Sequence, residues 1–222
     1  MKKKTHWIWK GMLLFLIIGA ALLWVFHESI LANAGHYMAP RGDGTADVAI
    51  LEGTEFLDRG IVKSGMELLA SGKVKRLIVV LHNIAPSHRP FAFNEDYPGL
   101  VRKELQDRGL KDANVKVLVV SIRNPITLVA AQGALKVLNQ EGVKSAFLLS
   151  PGFHTRRSFL VYQHAGNPYQ MKIIPYASFG SYQLDRWWDQ DTGVRDFAAE
   201  ALKLFYYLVR GYIPLTLSYE PS

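Results

Sequence analysis

Residues 145–164 read SAFLLSPGFHTRRSFLVYQH, and the change of period inside this stretch decides the fold. The run 145–150 is apolar on both faces, as befits a strand covered on two sides. Pro151 and Gly152 break it, and 153–164 has helical spacing, closed by Gly166. Outward from here the same alternation recurs. Runs at 47–52 (DVAILE), 76–81 (RLIVVL), 115–121 (VKVLVVS) and 171–175 read as strands. Segments 56–71, 97–108, 127–140 and 194–209 read as helices, three of them stopped by Gly72, Gly109 and Gly142. Thr127 is placed to be an N-cap. In 194–209 the apolar positions 194, 197, 198, 201, 202, 205, 208 and 209 form one helix face. Strands alternating with helices imply right-handed crossovers and parallel pairing. The expected fold is therefore α/β: a three-layer, Rossmann-like domain over 46–222, with a parallel sheet of about five strands, preceded by an N-terminal transmembrane helix.

Composition agrees with one folded domain. The chain has 222 residues, 49% of them hydrophobic, and no cysteine. That length supports a core, and the apolar fraction excludes a disordered chain. The lack of cysteine excludes disulfides, zinc–cysteine sites, iron–sulfur clusters and thiol nucleophiles. The net charge of +7 is unevenly spread. Lys2, Lys3, Lys4 and Lys10 open the chain, and residues 35–222 keep 22 basic and 18 acidic side chains. No basic stripe stands out, so nucleic acid is not an expected partner.

Gly11 to Phe26 (GMLLFLIIGAALLWVF) carries no charge. With Trp7 included and Lys10 snorkelling, residues 7–26 reach the roughly 20 residues a spanning helix needs. Trp7, Trp9 and Trp24 suit the two interfaces, and the lysines should stay cytoplasmic with the body outside. Two readings stand. One is an uncleaved anchor over 1–34 in the inner membrane, favoured because the apolar run exceeds a usual signal h-region. The other is a signal peptide cut after Ala32-Asn33-Ala34, an A-x-A-type site, with the body exported. Residues 35–45, with Pro40, Gly42 and Gly44, are expected to be a linker.

In a parallel sheet, ligands bind beyond the carboxyl ends of the strands. That rule selects Glu52-Gly53-Thr54-Glu55, His82-Asn83, Ser121-Ile122-Arg123-Asn124, Ser150-Pro151-Gly152-Phe153-His154 and Tyr176-Ala177-Ser178. The fourth segment is the most suggestive. It leads into a helix carrying His154, Arg156 and Arg157, where amide N–H groups and forked guanidinium donors would welcome an anion. His154 could give or take a proton near neutral pH. Glu52 and Glu55 could act as base, metal ligand or hydroxyl acceptor, or simply suit a helix start, which is slightly favoured. Arg59 is an anion ligand or the i, i+4 partner of Glu55. His82 is ambiguous. No HExxH spacing follows His82 or His88, so no metal is expected, and no cofactor is identified. The chain lacks G-x-G-x-x-G, G-x-x-x-x-G-K-[ST] and G-x-S-x-G, which argues against dinucleotide, NTP and α/β-hydrolase chemistry. Trp187-Trp188 is either a sugar-stacking platform or an apolar lid, the lid being favoured. The stretch 204–217 (LFYYLVRGYIPLTL) either covers the sheet, which is favoured, or rests on the bilayer.

Four segments together resemble the YdcF/SanA-like family, a bacterial group of unknown function that also contains ElyC. They are ADVAILEG at 46–53, FLDRGIVKSGMELLASGKVKRLIVV at 56–80, LLSPGFHTRRSFLVYQHAG at 148–166 and FAAEALKLFYYLVRG at 197–211. The resemblance spans about 46–212. It implies an H-x-x-R motif at His154 and Arg157, a helix-one arginine at Arg59, and a role in envelope or cell-wall metabolism. The chain departs from the family's glycine-rich turns at Glu52-Gly53-Thr54-Glu55 and Leu81-His82-Asn83. It has Val129 and Ala130 where the family's T-x-E-N segment, begun here by Thr127, has Glu and Asn.

The expected function is therefore a membrane-anchored envelope protein that binds a phosphate-bearing precursor. His154 would be its catalytic residue. Arg157, Arg156, Arg59, Thr127, Asn124, Glu52, Gly53, His82 and Ser150 would surround the ligand. The alternative is a non-catalytic scaffold or regulator that keeps the fold and has lost the chemistry.

Overall fold

A computed structural model describes residues 2–53, 57–83, 96–121, 123–180 and 182–214. A long helix α1 (Lys2–Met38) leads into β1 (Val48–Glu52), α2 (Arg59–Ala70), β2 (Arg76–Asn83), α3 (Tyr97–Asp107), β3 (Val115–Ser121), α4 (Ile126–Gln140), β4 (Ser145–Pro151), α5 (His154–Gly166), β5 (Lys172–Ser178) and α6 (Asp191–Val209). The five strands form one all-parallel sheet in the order β3-β2-β1-β4-β5. The fold is the α/β sandwich that the alternating pattern predicts.

Continuous apolar strands feed two cores. Val48, Ile50, Ile78, Val80, Ala146 and Leu148 face α4, α5 and the inner side of α6. Ala49, Leu51, Leu77, Val79, Phe147 and Leu149 face α2 and α3. This alternation assigns each strand's last polar side chain to a face: Glu52 and Ser150 follow Ile50 and Leu148 and point towards α5. Sheet order reverses between β1 and β4, so their carboxyl ends frame the crevice where doubly wound folds bind ligands.

Some boundaries differ from the sequence reading for local reasons. α2 begins at Arg59, not 56, because the Asp58 carboxylate caps it, accepting from the amides of Gly60 (2.7 Å) and Ile61 (3.2 Å). α4 begins after Pro125, so Thr127 lies inside the helix and is not its cap. β5 continues through Pro175 to Ser178. It is an edge strand, where proline is tolerated.

Residues 35–45 are not a free linker. Helix α1 runs on to Met38, and Met38 and Ala39 are buried in the core. Residues 40–42 then lie antiparallel along β5: Gly42 N–H donates to Pro175 O (2.8 Å) and Ala177 N–H to Pro40 O (3.3 Å). The helix itself is clasped. Trp187 Nε1 donates to Leu31 O (2.9 Å), and the Arg156 guanidinium lies 4.2 Å from the centre of the Tyr37 ring. Trp187 is buried and stacked on Phe197 at 4.2 Å, so its ring serves packing between helices and also grips α1.

Gly35 is the tight point. A Cβ there would stand 2.9 Å from both Cδ1 and Nε1 of Trp187. Gly35→Val should push helix and domain apart and lower stability by about 1–3 kcal/mol, the usual range for overpacking. Urea unfolding of the full chain in detergent checks this; an unchanged midpoint would mean that the clasp contributes nothing to stability.

Candidate functional site

A cleft of about 840 Å³ opens at the carboxyl ends of β1 and β4. Its floor is built where the two strands end. Ser150 donates to Glu52 Oε2 (2.5 Å), and so does Ser158 from the second turn of α5. The Pro151-Gly152 turn sends the chain into α5, which brings His154 over the same carboxylate, Nε2 to Oε2 at 3.5 Å. On its other side the ring meets α6: Nδ1 lies 3.3 Å from Glu200 Oε2. Arg157, one turn along α5, closes the network. Its Nε and Nη2 donate to Glu200 (2.9 and 3.2 Å), and its Nη1 donates to Thr127 Oγ1 (2.8 Å). Nη2 also stands 2.8 Å from His154 Nδ1. Lys203, at the rim, donates to Glu200 Oε1 (2.9 Å).

Glu52, His154, Arg157 and Glu200 are all buried. Buried charges persist only when paired, and each of these is. Burial pushes the Glu52 carboxyl up, but the charge and hydrogen bond of His154, with the two serine hydroxyls, hold it below its ordinary value. Burial likewise raises Glu200, and His154, Arg157 and Lys203 together hold it well below the carboxylate range. Burial and Arg157 disfavour the His154 imidazolium, yet Glu52 and Glu200 outweigh them and the ring titrates above its ordinary value. The neutral ring accepts from Arg157 at Nδ1 and turns Nε2–H towards Glu52. The charged ring donates from Nδ1 to Glu200. The ring therefore has a carboxylate facing each nitrogen and can hold either protonation state.

His154, Arg157, Thr127, Glu52, Gly53, His82 and Asn124 all line the cleft, and Ser150 supports it through Glu52. Arg59 does not join them. It is exposed and lines a separate depression with Tyr97 and Glu104, because Asp58 takes the cap position that faces the cleft. Arg156 does not join them either: successive residues on a helix point about 100° apart, and Arg156 is turned to Tyr37 of α1. Gly53 is explained by packing, since a Cβ there would meet Leu81 Cδ2 at 2.7 Å. Thr54, Glu55 and His88 lie outside the described residues. Among the described residues no group of three or more His, Asp or Glu is arranged to hold a metal.

Glu200 and Lys203 were not singled out by the sequence. Glu200 stands as the lone acid in the largely apolar run from Phe197 to Val209, and that isolation was the available signal. Tyr162 was also missed. It lines the cleft with a fully buried ring, and its hydroxyl has no hydrogen-bond partner among the described residues.

Compared with known protein-family models and with curated proteins, the sequence matches none.

Proposed function

We propose that this chain is a membrane-tethered α/β domain whose cleft binds a phosphate-bearing envelope precursor, as the resemblance to the YdcF/SanA-like family implies. The observation that carries this reading is the placement of His154 between two buried carboxylates on the floor of an open cleft at the sheet's reversal point. Perturbed ionisable groups gathered in a cleft are what proton-transfer sites require. His154 is the acid or base, and Glu52 sets its proton affinity. Arg157 is a positioning residue: Glu200, Thr127 and His154 occupy its donors, so it holds the ring rather than the ligand. The anion would meet His154 at Nε2, whose 3.5 Å separation from Glu52 is the loosest contact of the network, the amides that open α5, and Lys203 at the rim, which gives Glu200 one of its three N–H donors.

Titrating the full chain in detergent micelles with a polyprenyl-linked sugar phosphate tests this. Wild type should bind, and His154→Gln should bind at least about tenfold more weakly, the loss expected of one charge-assisted contact. Equal affinity in the two proteins would sink the reading.

One observation favours the alternative, a scaffold that has kept the fold without the chemistry. The network is closed on itself, with Arg157 and Lys203 both engaged by Glu200. On that reading no ligand of this class binds wild type at all.

A further inference from the structure

Helix α6 is apolar on two sides. Its inner face, Gly193, Glu200, Leu204 and Tyr207, is buried. The opposite face is not. Val194, Leu202, Phe205 and Val209 are 45%, 71%, 66% and 68% exposed, and Ala198 is exposed with them. At 100° per residue these five positions fall within an arc of about 80°. Positions 194, 198, 202, 205 and 209 are one side of the apolar face that periodicity gives, and Phe197, Ala201 and Leu208 on its other side pack against the core. Here the core takes the other face, because Glu200 must reach Arg157. A surface helix normally puts its polar residues outward, so the stripe marks a contact.

The chain itself indicates what covers it. α1 is long and apolar enough to cross a membrane, and its window from Gly11 is unburied. The clasp begins at Leu31, five residues beyond the last residue of the apolar run, Phe26. Five helical residues rise about 7.5 Å, close to the thickness of the headgroup layer on one side of a bilayer. The domain is thus fastened directly above the lipid surface. Its fastening points lie at the cleft end. α1 packs on the 3-10 turn Leu184–Asp189, on α5 and on α6, and the chain leaving it meets β5 at Ala177, one residue before that strand's carboxyl end. On the cleft side Arg195 lies about 20° beyond the stripe's edge and Arg210 about 80°, basic groups of the kind an interfacial helix turns towards anionic headgroups, while Asp191 shares the stripe's arc only in the first turn.

We propose that the outer face of α6 is a second membrane contact: the helix lies in the interfacial layer of the bilayer that α1 enters. Tyr206, between stripe and cleft, lines the cleft and is half exposed, so the mouth opens at the headgroups. This inference rests on α1 being a span and not on the identity of the ligand.

The absence of cysteine makes the test direct. Full-length Leu202→Cys, Phe205→Cys and Val209→Cys are spin-labelled singly in vesicles containing anionic lipid, and compared with Lys172→Cys at the exposed start of β5. The oxygen-to-nickel-chelate accessibility ratio should be several-fold higher at 202, 205 and 209 than at 172. Ratios equal to that at 172 would overturn the proposal. So would spin–spin broadening at 205 that disappears on dilution with unlabelled chain, which would assign the stripe to a second copy.

Discussion

Glu200→Gln should lower the stability of the domain by about 3–5 kcal/mol, the cost of breaking one partner out of a buried ion pair. The substitution hardly changes shape, so packing loss is not the cause. Arg157 is 5% exposed and commits Nε and Nη2 to this carboxylate. Without the negative charge it remains buried beside His154, with a neutral amide oxygen in place of its counter-ion. The controls are Arg157→Met and the double variant. If the penalty comes from an orphaned charge, removing both charges should recover most of what either single change loses. Urea midpoints of the full chain in detergent decide it. A loss under about 1 kcal/mol for Glu200→Gln would place the pair in the range of solvated surface bridges, and water in the cleft would then be shielding it.

That pair also shows where sequence reading succeeds and where it stops. The sheet was legible because each strand is a short run apolar on both faces, and period alone separates such runs from the helices between them. Glu52, Ser150 and His154 were legible as a neighbourhood, since parallel pairing gathers all carboxyl ends at one edge. The contents of the network were not. Arg156 and Arg157 are adjacent identical side chains, and only the packing of α1 against α5 turns one to Tyr37 and leaves the other facing α6. Arg59 was drawn into the expected site by its position after β1, but Asp58 caps the helix and occupies the side facing the cleft.

α6 is the larger lesson. An amphipathic stripe says that one face will be covered, not by what. Its eight apolar positions read as one helix face, and five of the helix's outward positions come from that set. The true inner face carries Glu200 among its contacts, because a charge already buried on α5 needs a partner more than the core needs another leucine. The same limit applies to residues 35–45. Pro40, Gly42 and Gly44 suggested a linker, yet Pro40 and Gly42 pair their backbone groups along the free edge of β5, as exposed strand edges invite.

Stability should pass through a maximum at mildly acidic pH, with His154 responsible for the decline on the basic side. Its folded value lies above its ordinary 6.5, so the stabilisation it supplies is complete below 6.5 and is lost as pH rises through the folded value. Glu52 and Glu200 act in the opposite sense. Their folded values lie below the ordinary 4.5, so their contribution is complete above 4.5 and is lost as pH falls through the folded values. The window between is therefore roughly pH 4.5–6.5. Glu52→Gln should reverse the histidine's sign. It removes the charge that most favours the imidazolium and leaves burial and Arg157 opposing it, with Glu200 alone in support. The ring then titrates below its ordinary value, and folding would favour the neutral form. In wild type the urea midpoint, taken as a difference from His154→Gln to cancel surface groups, should fall as pH rises above 6.5. In Glu52→Gln, taken as a difference from the double variant Glu52→Gln/His154→Gln, it should instead rise as pH climbs towards 6.5. Parallel profiles in the two pairs would mean that Glu52 does not set the proton affinity of His154, and the pairing that organises the floor of the cleft would have to be abandoned.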